Sequence, residues 1–188
     1  MTKTLSKIIP AIAIISIAGA AVADTDDRLV NPVSRTGSRT MLLLGTLYDL
    51  TLEIDADLSN ASAKTLIETN AVMSLTIEIK SGMVSRERFV KTTTEGFEKA
   101  AKSGYKSDKT ADFLKQFDGV DFKKGAIVIM KATEDTLETR FKESADGEGK
   151  ILGIIDEAAD LKKALFAIWL GDNPAQDSLK EQLLGKKK

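Results

Sequence analysis

The chain contains neither cysteine nor histidine. Without cysteine there is no disulfide, no thiolate nucleophile and no thiolate metal ligand. Without histidine the usual proton shuttle at neutral pH is missing, and so is the commonest metal ligand. Ser-His-Asp and Cys-His mechanisms are therefore excluded, and neither a metal site nor a cofactor is expected. Aromatic residues make up only 5% of the 188, with a single tryptophan, so Trp169 is a landmark in itself. Charge of one sign is not in excess either. The 27 basic and 28 acidic residues leave a formal net charge of −1, which gives no electrostatic case for nucleic acid. No glycine-rich phosphate loop is present, since Asp146-Gly147-Glu148-Gly149 would repel an anion.

What is there begins with a targeting pattern. Lys3 and Lys7 precede an apolar run from Ile8 to Ala20, and Ala21-Val22-Ala23 is a small-x-small cleavage site. This predicts a signal peptide over residues 1–23, cut after Ala23, and a periplasmic protein. The run is short for a membrane span, so no integral membrane segment is expected after cleavage. The absence of cysteine excludes a lipoprotein anchor. Residues 24–34 read as a mobile polar lead-in, 35–185 as one domain around one core, and 186–188 as a frayed basic tail.

Within the domain, Arg35 to Thr40 reads as a turn. It leads into a long strand from Met41 to Ile54, kinked at Gly45, with Thr46, Tyr48, Leu50 and Leu52 on one face. Asn60 to Thr69 reads as a short helix capped by Ser59 or Asn60. Met73 to Lys80 alternates strictly and must be a half-buried strand. Ser85 caps a helix from Arg86 to Lys102, ended by Gly104, and a shorter helix carries Phe113, Leu114 and Phe117. Ala126–Thr133 and Thr136–Glu143 form a hairpin, and Lys150–Ile155 is a last strand. Leu161, Leu165, Ile168 and Trp169 make the apolar stripe of a helix that Gly171 ends in a left-handed cap. A second helix runs from about Gln176 to Leu184. Strands and helices mix without strict alternation and the hairpin implies antiparallel pairing, so the class is α+β, a single domain.

The segment Phe166-Ala167-Ile168-Trp169-Leu170-Gly171-Asp172-Asn173-Pro174, continued by Leu183-Leu184-Gly185, resembles the closing segment of bacterial chalcone isomerase-like proteins. The resemblance extends from Gly37 to Gly185 through Gly37-Ser38-Arg39, Tyr48, Glu95-Gly96-Phe97 and Phe122-Lys123-Lys124-Gly125. It implies a large antiparallel sheet covered on one face by a layer of helices, with a cleft between them. In that superfamily an arginine after a glycine-containing turn and a hydroxyl residue on the next strand point into the cleft. In fatty-acid-binding relatives the arginine and a tyrosine hold a carboxylate. Arg39 and Tyr48 match those positions, with Thr46 as the alternative register. An arginine fork and a phenol suit a carboxylate physically, since both donate and the guanidinium adds charge.

The resemblance also implies what is missing. The positions that carry a tyrosine, an asparagine and a threonine in true chalcone isomerases correspond to Phe89, Gly96 and Ile168, none of which donates a hydrogen bond from its side chain. The expectation is a non-catalytic protein that binds a fatty acid or similar apolar carboxylate. Arg39 and Tyr48 would hold the head group, with Phe89, Phe97, Phe166 and Trp169 as candidate walls. Two alternatives stand beside it: an isomerase or intramolecular lyase acting on a small acid, and an interaction protein of the cell envelope.

Overall fold

The computed structural model describes residues 28–186, so the predicted signal peptide and the cleavage site at Ala23 lie outside the described residues. Strands β1 (Pro32–Met41) and β2 (Gly45–Asp55) lead through a 3-10 turn (Ala56–Leu58) to α1 (Ala63–Glu68) and β3 (Met73–Ile79). Then come α2 (Arg86–Lys102), α3 (Thr110–Lys115), β4 (Ile127–Ala132), β5 (Thr136–Lys142) and β6 (Lys150–Asp156). Helices α4 (Ala159–Leu170) and α5 (Asp177–Leu183) follow. The six strands pair in sequence order, every pair antiparallel, and the class is α+β in one domain.

Period-two alternation decides which face of the sheet the helices cover. Leu50 lies opposite Ile77, and Ile77 opposite Val128; Leu52 lies opposite Leu75, and Leu75 opposite Met130. These two rows of large apolar side chains are buried and form the floor of the core. The other face carries Thr36, Thr51 and Thr76 in one row, with Ser34, Glu53 and Ser74 in the next.

Helix α4 lies at the centre of the helix layer, against α1, α2 and α5. Its burial is not a stripe: Leu161, Lys162 and everything from Ala164 to Leu170 are buried. Gly96 lets α2 approach it. A Cβ there would sit 2.8 Å from Ile168 Cγ2, so only glycine fits at this crossing. Six of the seven phenylalanines form a continuous aromatic run across α2, α3 and the sheet, in the order Phe97, Phe113, Phe117, Phe89, Phe122, Phe141, with ring centroids 4.6–5.9 Å apart.

Several local expectations are corrected. The segment 32–41, read as lead-in and turn, is a ten-residue strand. The expected kink at Gly45 is the end of a hairpin turn in which Leu43 and Gly45 both hold φ +73°. Period alone could not separate one long strand from two, because Met41 to Leu44 is apolar throughout. Helix α1 starts later than expected, with Ser62 as its cap, its hydroxyl accepting from Thr65 N. Gly171 is extended rather than left-handed (φ −69°, ψ −175°), and glycine is needed because a Cβ would lie 2.5 Å from Ala167 O.

Candidate functional site

The hairpin register builds the site. Arg39 lies directly opposite Tyr48 on β2. Both belong to the helix-facing set, two and four residues along from the Gly37–Leu50 and Arg35–Leu52 pairs. A register shift between Arg39 and Thr40 then sets Thr40 opposite Thr46. Arg39, Tyr48 and Thr46 are therefore neighbours, and Tyr48 rather than Thr46 is the residue paired with the arginine.

From the helix layer, Trp169 Nε1 donates to the Tyr48 hydroxyl at 3.0 Å. Burial raises the Tyr48 pKa above that of a free phenol, an effect partly offset by the Trp169 bond and the Arg39 charge. The phenol therefore keeps its proton at physiological pH. The hydroxyl accepts from Trp169, and its own O–H has no acceptor among the described residues.

Arg39 is half-buried, and no carboxylate pairs with it among the described residues. Its Nη1 donates to Gln176 Oε1 at 2.8 Å and, less closely, to Thr40 O at 3.4 Å. Nε and Nη2 remain unused, although a guanidinium offers five donors. Four donor hydrogens at this corner, three on Arg39 and one on Tyr48, thus lack a partner among the described residues.

Sequence reasoning missed the residues that hold this corner together. Gln176 Oε1 also accepts from Thr40 N at 3.1 Å, and Gln182 Oε1 accepts from Ser38 N at 3.0 Å. The two glutamines at either end of α5 thereby satisfy outward-facing amides of the edge strand β1. Gly37 was expected in a turn; it lies mid-strand, where a Cβ would meet Leu179 Cδ1 and Gln182 Oε1 at 2.6 Å, so it admits α5. Arg35, four residues before Arg39 on the same face of β1, donates to Ser59 O and to Leu183 O and is spent on the backbone. No local sequence signal marks Gln176 or Gln182, because their partners lie 136 and 144 residues away.

Trp169 belongs to the corner, but Phe89 is engaged elsewhere. It stacks on Phe122 with centroids 4.6 Å apart and packs on Phe117, inside the aromatic run. Phe97 belongs to the same run, and Phe166 is fully buried. Gly96 and Ile168, two of the positions matched to polar catalytic groups, fill each other's space at the α2–α4 crossing. Two surface hollows, of about 330 and 400 Å³, flank Tyr105 on the helix side; neither includes Arg39, Tyr48 or Trp169. Among the described residues no group of acidic side chains is placed to hold a metal ion.

A buried cation, Lys162, also lacks a counter-ion among the described residues. Lys162 is buried in α4, and its Nζ donates to Thr69 O and, at 3.0 Å, to Ala71 O. Burial, with the nearby Lys163 charge, lowers its pKa from 10.5 to about 8.

A sequential six-stranded antiparallel sheet covered on one face by helices is the chalcone isomerase type of fold. The chain belongs to the chalcone isomerase-like family, whose model matches residues 36–185. No curated protein matches the sequence. Among solved structures, a fatty-acid-binding protein of Arabidopsis thaliana is similar, with a TM-score of 0.57 and 17% identity over 84% of this chain and 86% of that one. At that identity the likeness speaks for the fold.

Proposed function

We propose that this chain is an exported, non-catalytic member of the family that binds a fatty acid or similar apolar carboxylate, with Arg39 and Tyr48 holding the head group. The observation that carries it is the set of unspent donors at one corner: Arg39 Nε and Nη2 and the Tyr48 O–H, beside an arginine answered only by a neutral amide. A partly desolvated cation without a counter-ion is costly, and an incoming carboxylate supplies that charge. The named ligand of the Arabidopsis structure and the shared fold support the choice of acid. The packing of Gly96 against Ile168, and of Phe89 among phenylalanines, supports the absence of chalcone cyclisation, because none of these three side chains offers a donor. The sequence pattern of residues 1–23 supports export to the periplasm.

Because Trp169 and Gln176 close over Tyr48 and Arg39, the acid enters by displacing them, and the indole exchanges its phenol partner for the ligand. The sole tryptophan therefore reports binding. Titration of wild type and Arg39→Ala with a long-chain fatty acid and its methyl ester, read by Trp169 fluorescence, tests the site. Charged hydrogen bonds contribute about 1.5–3 kcal/mol, so Arg39→Ala should weaken the acid about ten- to a hundred-fold. The ester should bind wild type as weakly as the acid binds the variant. Equal affinity in all four combinations would remove the head-group site.

A further inference from the structure

The β1–β2 hairpin turn is built from residues that a turn in water disfavours. Met41, Leu42, Leu43 and Leu44 are consecutive, and Leu42 and Leu43 are 93% and 97% exposed. Leu43 holds φ +73°, a left-handed conformation that glycine or asparagine adopts more readily than leucine. The turn is closed by Leu44 N donating to Met41 O at 3.1 Å. Apolar exposure and backbone strain coincide at one point, and no contact within the described chain compensates for them. Fold stability gives no reason for this choice of residues.

Shape and surroundings select the occupant. The last bond from β2 to the β3 side is Lys80 N to Leu47 O, whereas Gly45 and Thr46 pair only with β1. The turn therefore stands beyond the rest of the sheet as a two-stranded projection. A convex point of four side chains cannot offer the roughly 800 Å² that a standard protein interface takes from each partner. A bilayer accepts such a point, because acyl chains close around any shape. Cations stand at the same end of the sheet. Arg88 donates to the carbonyl of half-exposed Met83 at 3.2 Å. Exposed Lys124 precedes Gly125, whose N–H bonds to Ile79 O at the end of β3. Among the described residues neither Arg88 nor Lys124 has an ion pair. Apolar side chains at the tip with unpaired cations behind them match the two layers of an anionic leaflet.

We infer that the Leu42–Leu43 hairpin tip is an interfacial anchor that inserts into a lipid leaflet carrying anionic head groups, with Arg88 and Lys124 at head-group level. This does not depend on fatty-acid binding. If both hold, the anchor brings Arg39 and Tyr48, which flank the turn on its two strands, to the surface where acyl chains reside.

The cysteine-free chain makes the test clean. Leu43→Cys and, as a control, Asn60→Cys beyond the far end of β2 each accept one polarity-sensitive fluorophore. With vesicles of phosphatidylglycerol and phosphatidylcholine, the label at 43 should shift to the blue and the label at 60 should not. In vesicle sedimentation, Leu42→Ser/Leu43→Asn should bind at least ten-fold more weakly than wild type with the same N-terminus, and its melting temperature should be equal or higher. Three results would overturn the proposal: no shift at 43, undiminished sedimentation of the double variant, or a wild-type dimer in vesicle-free solution that the double variant abolishes. The last would give the tip to a second copy of the chain. The label readout does not require the double variant to fold, and no free fatty acid enters any arm. Failure here and failure of the head-group site are therefore separate outcomes.

Discussion

Arg39 and Lys162 both lack a carboxylate partner among the described residues, and they differ in what surrounds them. Lys162 is enclosed: its ammonium donates to Thr69 O and Ala71 O at the end of α1, and its pKa is lowered to about 8. Arg39 is half-buried and meets one side-chain acceptor, the amide of Gln176, with Nε and Nη2 unused. Lys162 ties the end of α1 to α4 with two of its three donors, and its burial keeps it from a ligand. Arg39 keeps donors in reserve beside a phenol whose proton is also free. An unpaired cation alone does not mark a binding site; the proposal for Arg39 rests on its unspent donors and its partial exposure.

The sharpest way to break the contrast is to give Arg39 an internal counter-ion. Gln176→Glu places a carboxylate on Nη1, where the amide oxygen now sits 2.8 Å away. It should lower fatty-acid affinity about as far as Arg39→Ala does, ten- to a hundred-fold, while stability changes by less than about 1 kcal/mol. Unchanged affinity by fluorescence titration would mean the guanidinium is not the acid's partner.

The next effect belongs to Lys162. A base whose folded pKa lies below its unfolded pKa leaves the unfolded chain holding more protons between the two values, so stability rises with pH from about 8 towards 10.5. The raised pKa values of Tyr48 and Tyr105 act in the opposite direction above pH 10. The window to read is therefore pH 7.5 to 9.5, where wild type should gain about 2 kcal/mol relative to Lys162→Met in urea unfolding. Parallel curves for the two proteins would show that the lysine is not desolvated. The smallest effect is expected from Tyr48→Phe, which removes a neutral donor and should weaken the acid ten-fold or less. A loss larger than that of Arg39→Ala would reverse the roles assigned to the pair.

The sequence made much of this legible, and its failures have a common cause. The alternation of Met73 to Ile79, the Ser85 cap of α2 and the Gly104 stop are local signals, and each stands in the structure at its expected place. The choice of Tyr48 over Thr46 as the companion of Arg39 came from resemblance, not from period, and their pairing across β1 and β2 was hidden because Arg35 to Thr40 read as a turn. β1 was missed because Val33, Arg35 and Gly37 do not read as a buried face; their partners are carbonyls and side chains of α5 and the 59–62 loop, not a row of leucines. The glutamines were invisible for the same reason. Phe89 was taken as a possible wall of the cleft because an aromatic residue on an inner helix face carries no mark of which neighbour it will choose. Its ring went to Phe117 and Phe122.

The order of the strands has a consequence for how the protein comes apart. Each strand pairs with its neighbour in sequence, and no pairing in the sheet spans more than the 59 residues from Met73 to Ala132. The corner at Arg39 is instead closed by the two ends of the domain, with Tyr48 and Trp169 separated by 121 residues and Ser38 and Gln182 by 144. This corner cannot close until α5 has docked on β1, across more of the chain than any strand pairing spans. In the finished protein α5 is a seven-residue element held at its ends by two glutamines, the kind of unit that opens without unfolding the rest. Amide exchange in α5 and at Ser38 and Thr40 should therefore run ahead of the β2–β4 core, so that the seam closing the chain also serves as its door.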